Sequence, residues 1–389
     1  MRKLFLFASL LVVIALVLVS CAAPAPSAPA TVVVTREVPV TVVVTAAGAA
    51  PAPQATQPPP PTAPPATAAP PPAPAAGGNT LKTVLDRGRL VCGVHGTFQG
   101  FGFLAPDGKW SGFDVDICRA WAAALFDDPD AVDFRGLSAQ ERFTALQAGE
   151  VDVLSRNSTW TLTRDSELGL DFGPTTFYDG QAMMVKKALI DDPAAGLADL
   201  AGASICVQTG TTTELNLADQ MRAAGAEYTP VVFEDQNAAF QAYDEGRCDA
   251  ITSDRSQLAT QGQAVLKNPA DHIILDVVMS KEPLAPAVRH GDNAWGDVVH
   301  WVVFGLIQAE ELGIDSQNVD GFLTSEDPVI RRLLGVEGDL GTKLGLSNDF
   351  VYRVIKKVGN YGEIFERNLS EYGLTRGQNA TWKDGGLLY

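Results

Sequence analysis

Positive charge is scarce in this chain. Its 389 residues include 29 Lys and Arg against 46 Asp and Glu, which gives a formal net charge of −17 at pH 7. The first 79 residues carry a net +2, which leaves −19 to residues 80–389. A body this acidic, with no basic patch, repels a phosphate backbone, and we therefore exclude nucleic-acid binding. The roughly 310 residues left for folding favour two lobes over a single core.

Cysteine and histidine are also scarce, with five and four residues. The histidines show no spacing typical of a metal site or a catalytic triad, and no cysteines are spaced as CxxC, so we expect no metal and no cofactor. Four cysteines fall in the body, two in each half, and an exported protein can join four in three ways. We favour the pairs Cys92–Cys118 and Cys206–Cys248, with free buried thiols as the alternative.

A long run without charge occurs at the N-terminus. It occupies positions 4–19, after two basic residues, and stops just before Cys21. This pattern is typical of a signal peptide, here residues 1–20. Because its end resembles a bacterial lipobox, we expect Cys21 to become the lipidated first residue of the mature protein, with an uncleaved membrane anchor as the alternative. Either interpretation places the body outside the cytoplasmic membrane.

Residues 21–79 combine very little charge with 16 of the 25 prolines. Such a composition cannot bury a core, and its Pro-rich second half favours extended polyproline II. We predict a tether that lets a lipid-anchored body stand off the membrane. The sequence Thr-Val-Val-Val-Thr occurs at 31–35 and again at 41–45, and a short β-hairpin is the alternative there.

Short apolar strands alternate with helices through the rest of the chain. The apolar spacing predicts strands at 89–94 and 151–154 and helices at 116–126 and 141–148. In the second half it predicts, in order, strand 204–207, helix 212–224, strand 230–234, helix 238–245 and strand 247–251. This βαβαβ order favours parallel sheets covered by helices.

One spacing recurs in both halves. A Phe, a Gly and an Asp are separated by six and then three residues in two triplets: Phe143, Gly149, Asp152 and Phe240, Gly246, Asp249. Each triplet supplies a helix packing residue, a helix-ending glycine and an acid that opens the next strand. Chance similarity between two helix-to-strand turns is the alternative. We predict two α/β lobes of related plan, with the ligand in the cleft between them.

Polar residues follow several of the predicted strands. Thr211 and Glu214 fit a capping box at a helix start, where free N–H groups bind anions; a plain helix cap is the alternative. Two arginines, Arg156 and Arg164, follow a strand of the first half and suit a carboxylate, although surface ion pairs are the alternative. The matching loop of the second half places Asp254 where a ligand ammonium can sit. Phenylalanines at 97–103 add aromatic faces, or belong to the core. Together these groups predict a receptor for an α-amino acid.

Several stretches resemble a known family. Residues 112–117, Gly-Phe-Asp-Val-Asp-Ile, resemble the signature of family 3 extracellular solute-binding proteins, which serve ABC transporters for polar amino acids. Trp121 departs from that pattern, which usually has a smaller aliphatic residue there. Residues 141–147, 207–216 and 358–368 are similar to the general L-amino acid-binding subgroup.

The resemblance implies a fold and its division. It covers residues 80–389 and implies an α/β, two-lobed periplasmic-binding-protein fold of type 2. Each lobe of this fold is a mostly parallel sheet flanked by helices, and two crossover strands form the hinge. The first lobe would span 80–185, the second lobe 186–285, and residues 286–389 would return to the first lobe and end in a helical extension.

The resemblance also implies ligand contacts. It assigns an aromatic stack to Phe98, a hydroxyl contact to Thr161, the carboxylate grip to Arg164, helix-start contacts to Thr212 and Thr213, and the ammonium site to Asp254. The spacing from Thr161 to Arg164 is shorter than in small histidine-binding relatives, so Arg156 is the alternative carboxylate ligand. Arg156, Asn157 and Trp160 could favour acidic or amide side chains, or line a permissive pocket. We expect Asp114 and Asp116 to cap their helix and pair locally.

These observations predict an extracytoplasmic lipoprotein, not an enzyme, that clamps L-amino acids and delivers them to an ABC permease in the cytoplasmic membrane. Its range would be glutamate, glutamine, aspartate and asparagine, or broader, and we expect a monomer. One alternative is an exported enzyme on the same fold, similar to prephenate or arogenate dehydratases, although the cleft offers no special general acid. The other is an amino acid sensor, although no C-terminal transmembrane helix or kinase segment is evident.

Overall fold

The computed structural model of the protein describes residues 78–389. The predicted signal peptide at 1–20, the lipidation of Cys21 and all but the last two residues of the tether at 21–79 lie outside the described residues. None of the helices within residues 78–389 is long and apolar enough to cross a membrane.

Strands and helices alternate along most of the described chain. The strands are β1 (Leu90–Val94), β2 (Thr97–Phe98), β3 (Gly102–Leu104), β4 (Trp110–Ser111), β5 (Val132–Gly136), β6 (Val153–Leu154), β7 (Leu170–Phe172), β8 (Phe177–Lys186), β9 (Ser204–Gln208), β10 (Thr229–Phe233), β11 (Ala250–Asp254), β12 (His272–Ile274), β13 (Ser280–Leu284) and β14 (Ala287–Arg289). The helices are α1 (Thr80–Arg87), α2 (Phe113–Phe126), α3 (Arg142–Ala148), α4 (Thr212–Ala223), α5 (Gln236–Asp244), α6 (Arg255–Val265), α7 (Asn293–Glu311), α8 (Val319–Phe322), α9 (Pro328–Leu333), α10 (Leu340–Lys343), α11 (Phe350–Val358) and α12 (Tyr361–Leu369). Every strand and helix predicted from apolar spacing is present, with ends shifted by up to three residues.

Two sheets form the centres of two lobes. The first has the order β5-β1-β6-β14-β7, and the second has the order β10-β9-β11-β8-β12 with β13 also paired to β8. Within each sheet a single strand opposes the others: β14 runs antiparallel to β6 and β7, and β8 runs antiparallel to β11, β12 and β13. The predicted two-lobed α/β fold with mostly parallel sheets is therefore confirmed.

Two adjacent antiparallel strands connect the lobes. The first half of β8 pairs only with β13, from Phe177 opposite Leu284 to Gln181 opposite Ser280. From Gln181 onward β8 also pairs with β11 in the second sheet. The chain returns from β13 to β14 of the first sheet through residues 285–286. The lobe boundaries expected after residues 185 and 285 stay predictions.

Helix α2 organises the core of the first lobe. Trp121 is fully buried, and its indole Nε1 donates to the carbonyl oxygen of Val299 in α7 at 3.2 Å. This hydrogen bond satisfies the buried indole N–H of Trp121, at a position where the family pattern usually has a smaller aliphatic residue. Trp295 of α7 is also fully buried and donates to the carbonyl oxygen of Asp152 at 2.9 Å. Helices α11 and α12 pack on the same core.

The two recurring Phe, Gly and Asp triplets make equivalent contacts in the two lobes. The carboxylate of Asp152 accepts the backbone N–H of Val91 at the start of β1, at 2.7 Å. The carboxylate of Asp249 accepts the N–H of Ser204 at the start of β9, at 2.8 Å. The preceding glycines adopt positive φ, 76° at Gly149 and 81° at Gly246, in helix-ending turns. Each acid thus sets the register between two neighbouring parallel strands.

The structure contains two disulfides, one in each lobe. Cys92–Cys118 joins β1 to α2, and Cys206–Cys248 joins β9 to the segment before β11. These are the two pairs favoured from the sequence. Each bond ties a central strand to an element beside it, which restricts the unfolded chain and stabilises the lobe.

The C-terminal extension, the residues past Leu312, contacts the hinge strand β8. The amide oxygen of Asn379 accepts the backbone N–H of Tyr178 at 2.6 Å, and its Nδ2 donates to the Tyr178 carbonyl at 3.0 Å. Just before β8, the carbonyl of Thr176 accepts the hydroxyl of Tyr361 at 2.7 Å. Both Asn379 and Tyr361 are buried. The extension therefore satisfies hinge backbone groups that lack a partner strand on that side.

We predict that the substitution Asn379→Ala destabilises the fold. It leaves the N–H and carbonyl of Tyr178 without their partners, which costs about 1–3 kcal/mol and lowers the melting temperature by several degrees. Differential scanning calorimetry measures this, and Gln378→Ala, at an exposed neighbouring position, serves as the control. Equal melting temperatures for Asn379→Ala and the unchanged protein would contradict this role of the extension.

Candidate functional site

A polar cavity lies in the cleft between the lobes, at the C-terminal ends of the parallel strands. The first lobe contributes His95, Arg142, Arg156, Asn157, Thr159 and Arg164. The second lobe contributes Gln208, Thr211, Thr212, Thr213, Ser253, Asp254 and Gln257. Strand ends and the first turns of helices supply nearly all of these residues, which is the usual location of ligands in α/β sheets.

Three buried guanidinium groups form the first-lobe side of the cavity. Arg156 donates from Nε to the carbonyl of Leu137 at 2.7 Å, and Arg164 donates to the carbonyl of Thr159 at 2.8 Å. Arg142 and Arg164 share the ring of Phe143, at 4.7 Å and 5.0 Å from its centroid. Burial and the neighbouring guanidinium groups lower the pKa of Arg142 well below its usual range. This side of the cavity therefore attracts anions strongly.

His95 supplies a neutral donor beside the arginines. Its Nδ1 accepts the backbone N–H of Thr97 at 3.2 Å, which leaves the proton of a neutral ring on Nε2. Burial, followed by the charges of Arg156 and Arg142, lowers the pKa of His95 well below its usual range. The ring is therefore uncharged at neutral pH and can donate a hydrogen bond into the cavity.

The second-lobe side of the cavity carries the opposite charge. Asp254 ends β11 and is 6% exposed. Burial raises the pKa of Asp254 well above its usual range, and the carboxylates of Asp179 and Glu282 add to the shift. Burial likewise raises the pKa of Asp179 to about 6. A cation placed beside Asp254 relieves this repulsion, so the position suits an ammonium group.

The start of helix α4 faces the same cavity. The hydroxyl of Thr211 accepts the N–H of Glu214 at 3.2 Å, as predicted for a capping box. The carboxylate of Glu214 accepts the N–H of Gly210 at 2.9 Å instead of the N–H of Thr211. Only one of the two hydrogen bonds of a capping box is therefore present. Thr212 and Thr213 are the first two residues of the helix, whose N–H groups have no helical acceptor and favour an anion.

Direct hydrogen bonds join the two lobes around the cavity. Thr159 of the first lobe bonds to the hydroxyl of Thr212, at 3.4 Å, and to the carboxylate of Glu282. Gln261 of the second lobe donates to the carbonyl of Thr97 at 3.0 Å, and Gln263 donates to the carbonyl of Tyr372 at 3.1 Å. The structure is therefore that of lobes closed over the cavity.

The structure brings most of the expected contact residues together. Arg156, Arg164, Thr212, Thr213 and Asp254 all line the cavity. Arg156 and Arg164 follow a strand and Asp254 ends one, which is the sequence signal for these three. Thr212 and Thr213 open a helix and were expected from the family resemblance.

Three other expected contacts do not line the cavity. Phe98 is fully buried and stacks on Phe101, with ring centroids 4.5 Å apart. Trp160 is 45% exposed and donates to Asp165 at 2.8 Å. The hydroxyl of Thr161 accepts the N–H of Arg164 at 3.2 Å and so shapes the turn that carries this arginine.

Sequence reasoning did not single out six residues of the cavity wall. They are His95, Arg142, Thr159, Gln208, Ser253 and Gln257. His95, Gln208 and Ser253 lie at or directly after the strands β1, β9 and β11, so their positions were a usable signal. Arg142 opens a helix, and Gln257 lies one turn into another, where no sequence pattern separates them from surface residues.

The expectation that Asp114 caps its helix is wrong. Helix α2 has no side-chain cap; Asp114 accepts the N–H of Asn157 at 2.9 Å and the hydroxyl of Ser155 at 3.3 Å. Asn157 adopts a positive φ of 30°, so the carboxylate holds a strained turn next to Arg156. The local pairing expected of Asp116 is present, with Arg119 at 2.9 Å.

The fold and the cavity together define a two-lobed binding protein, and comparison with known proteins identifies its family. The chain belongs to the bacterial extracellular solute-binding proteins, family 3, whose profile matches residues 90–313. The resemblance predicted from the sequence is therefore confirmed. Within residues 78–389, no three His, Cys, Asp or Glu side chains are grouped to hold a metal ion.

Individual relatives extend the match beyond that profile. The chain is 52% identical over 319 residues to the general L-amino acid-binding periplasmic protein AapJ of Rhizobium johnstonii, covering 81% of this chain and 92% of that one. It is 50% identical over 318 residues to the glutamate/glutamine/aspartate/asparagine-binding protein BztA of Rhodobacter capsulatus, covering 81% and 93%. These relatives are binding proteins, which favours a receptor over a dehydratase.

A solved structure agrees with the fold. An ABC transporter periplasmic binding protein from Brucella ovis, with glutathione bound, has a TM-score of 0.77 and 52% sequence identity. The match covers 80% of this chain and 98% of that one. Because AapJ and the Brucella ovis protein are periplasmic, the comparison supports a location outside the cytoplasmic membrane.

We predict a pH-dependent stability that depends on Asp114. Burial raises the pKa of this carboxyl from 3.8 to about 6, so the folded state binds the proton more tightly than the unfolded state. The free energy of unfolding therefore falls by roughly 2–3 kcal/mol as pH rises through this window. Asp114→Asn removes that fall, and urea unfolding at a series of pH values measures it. Exposed Asp297→Asn is the control, and an unchanged pH profile in Asp114→Asn would contradict the prediction.

Proposed function

We propose that the protein is an extracytoplasmic receptor that captures L-α-amino acids between its lobes and delivers them to an ABC permease. The observation that carries the proposal is the burial of opposite charges on facing sides of a closed cleft. Asp254 lies on the second-lobe side, and the arginines lie across the cleft on the first-lobe side. The start of helix α4, also in the second lobe, adds N–H groups for an anion. An α-amino acid is a zwitterion whose two charges match this arrangement.

The proposed contacts follow from charge and position. The ligand ammonium binds Asp254, and the α-carboxylate binds Arg164 together with the N–H groups at Thr212 and Thr213. Arg156 is the alternative carboxylate ligand, although its Nε is already engaged by the carbonyl of Leu137. Micromolar affinity needs only about 8 kcal/mol, which a carboxylate fork and a buried ammonium site can supply.

Closure of the lobes is the proposed signal to the permease. A bound ligand touches both lobes at once and therefore stabilises the closed form over an open one. The two-stranded connection through β8 and β13 suits a hinge motion. The predicted lipid at Cys21 and the tether at 21–79 would keep the receptor close to a permease in the cytoplasmic membrane.

The expected range of ligands follows the relatives. AapJ is named for general L-amino acids, and BztA for glutamate, glutamine, aspartate and asparagine. We therefore propose L-α-amino acids with polar side chains as the first ligands to examine. The polar cavity wall, with His95, Gln208 and Ser253, supports this choice.

A thermal-shift screen tests the proposed function. The full chain is freed of bound ligand and melted in the presence of each of the twenty L-amino acids. A ligand that binds the native state must raise the melting temperature. Shifts with many amino acids indicate a broad receptor, and shifts with a few polar ones indicate a narrow receptor. No shift with any of them would contradict amino acid binding.

We predict that Asp254→Asn weakens every amino acid ligand. The amide keeps the shape of the carboxyl but removes the charge that holds the ammonium, so affinity falls on the order of tenfold to a hundredfold. Isothermal titration calorimetry measures the loss. Asp276→Asn, at an exposed position of the same lobe, is the matched control. Unchanged affinities in Asp254→Asn would show that the ammonium binds elsewhere.

A further inference from the structure

An apolar groove lies between helix α7 and the C-terminal extension, away from the cleft. Helices α7, α9, α10 and the start of α11 enclose a volume of about 470 Å³. Large apolar side chains line the groove and remain open to solvent: Trp301 is 53% exposed, Leu340 is 56% exposed and Val329 is 40% exposed. Single exposed apolar residues are ordinary on a protein surface, but a group of them around one concavity is typical of a binding surface.

The described chain begins beside this groove. The N–H of Thr80 donates to the carboxylate of Asp292, directly before α7, at 3.0 Å. The next residue, Leu81, comes within 3.0 Å of the position that a Cβ on Gly345 would occupy. Gly345 directly follows Leu344, which belongs to the groove wall. The chain that precedes helix α1 therefore enters the body next to the groove.

The chain before α1 is long enough to reach the groove. Trp301 lies nine residues after Asp292, which is roughly 14 Å along α7 at 1.5 Å per residue. Extended polyproline II advances about 3.1 Å per residue, so four or five residues before Gly78 span this distance. Residues 70–74, Pro-Pro-Pro-Ala-Pro, lie four to eight residues before Gly78. This proline-rich stretch can therefore lie in the groove.

The chemistry of residues 70–74 matches the groove. The stretch is uncharged, and its proline rings are apolar and fix φ, which lowers the entropy lost on binding. Grooves lined by aromatic side chains bind segments of this kind, whose backbone carbonyls are free to accept hydrogen bonds. Trp301 supplies the aromatic face, and Gln308 and Arg332 of the groove wall supply donors.

We propose that this groove is a docking surface for residues 70–74 of the same chain. The short connection to the body gives the stretch an effective concentration in the millimolar range, so a contact too weak to hold a separate peptide is populated within the chain. Docking sets the direction in which the tether leaves the body and shortens its free part to residues 21–69. It gives the C-terminal extension a role that is independent of the ligand in the cleft.

Hydrogen exchange of the full chain tests the docking from the side of the groove. The variant replaces three consecutive prolines and leaves every described residue unchanged: Pro70→Gly, Pro71→Gly and Pro72→Gly. We expect amide exchange at α10 and at residues 335–338 to be faster in this variant by on the order of tenfold, because the groove loses its cover.

The matched control makes the same change farther from the body: Pro58→Gly, Pro59→Gly and Pro60→Gly. We expect exchange in this control to equal that of the unchanged protein. Equal exchange at the groove in the two triple variants and the unchanged protein would overturn the proposal.

Limited proteolysis with elastase tests the docking from the side of the tether. Cleavage after Ala75 reports on the chain next to the docked stretch, and cleavage after Ala47 in the same digest is the internal reference. In Trp301→Glu we expect the ratio of the two cleavage rates to rise by on the order of tenfold, because proteolysis follows the undocked population. Trp382→Glu, at a tryptophan that is 52% exposed, is the matched control. A ratio that is unchanged in Trp301→Glu would contradict the docking.

Other occupants of the groove give different results. If protection of the groove increases with protein concentration, the occupant is a second copy of the chain and the proposal fails. If the groove is unprotected in the isolated full chain, the surface serves a separate partner and the proposal fails again. Melting curves establish that Trp301→Glu folds, and if it does not, the proline variants decide. Amino acid capture stands in each case, because the groove and the cleft share no residue.

Discussion

Buried charges of opposite sign face each other across the cleft, and the arrangement of both lobes depends on holding them there. Desolvation makes each charge costly, as the shifted pKa values of Arg142 and Asp254 indicate. In a region of low dielectric, the attraction between the two sides is much stronger than it would be in water. The protein fixes its charges by attaching them to rigid elements: Asp254 ends a central strand, and Arg156 is anchored to the carbonyl of Leu137.

The hinge belongs to the same electrostatic system. Strands β8 and β13 place the carboxylates of Asp179 and Glu282 directly opposite each other in register. Like charges in that position repel, and Asp179 also has a buried oxygen without a partner in the described residues. The hydroxyls of Thr159 and Thr212, one from each lobe, bond to Glu282. A ligand ammonium beside Asp254 would reduce the repulsion further, which links ligand binding to the geometry of the hinge.

The sequence predicted the fold well because strand and helix periods are local properties. The same reasoning found Arg164 and Asp254, since residues that follow parallel strands meet at one edge of a sheet. It does not reach features that tertiary packing decides. Phe98 lies in a buried aromatic stack, and its expected contact with the ligand stays a prediction. Arg142 was missed because its direction depends on how α3 packs against the loop of Arg164, which spacing does not encode.

The account depends most on the ammonium site. The measurement that tests it directly is a calorimetric comparison of two ligands: the L-amino acid that raises the melting temperature most, and its analogue without the α-amino group. Both keep the same carboxylates and the same carbon chain. The account predicts that the analogue binds more weakly by on the order of a hundredfold, since it leaves Asp254 buried without a cation. Equal binding of the two ligands would contradict it.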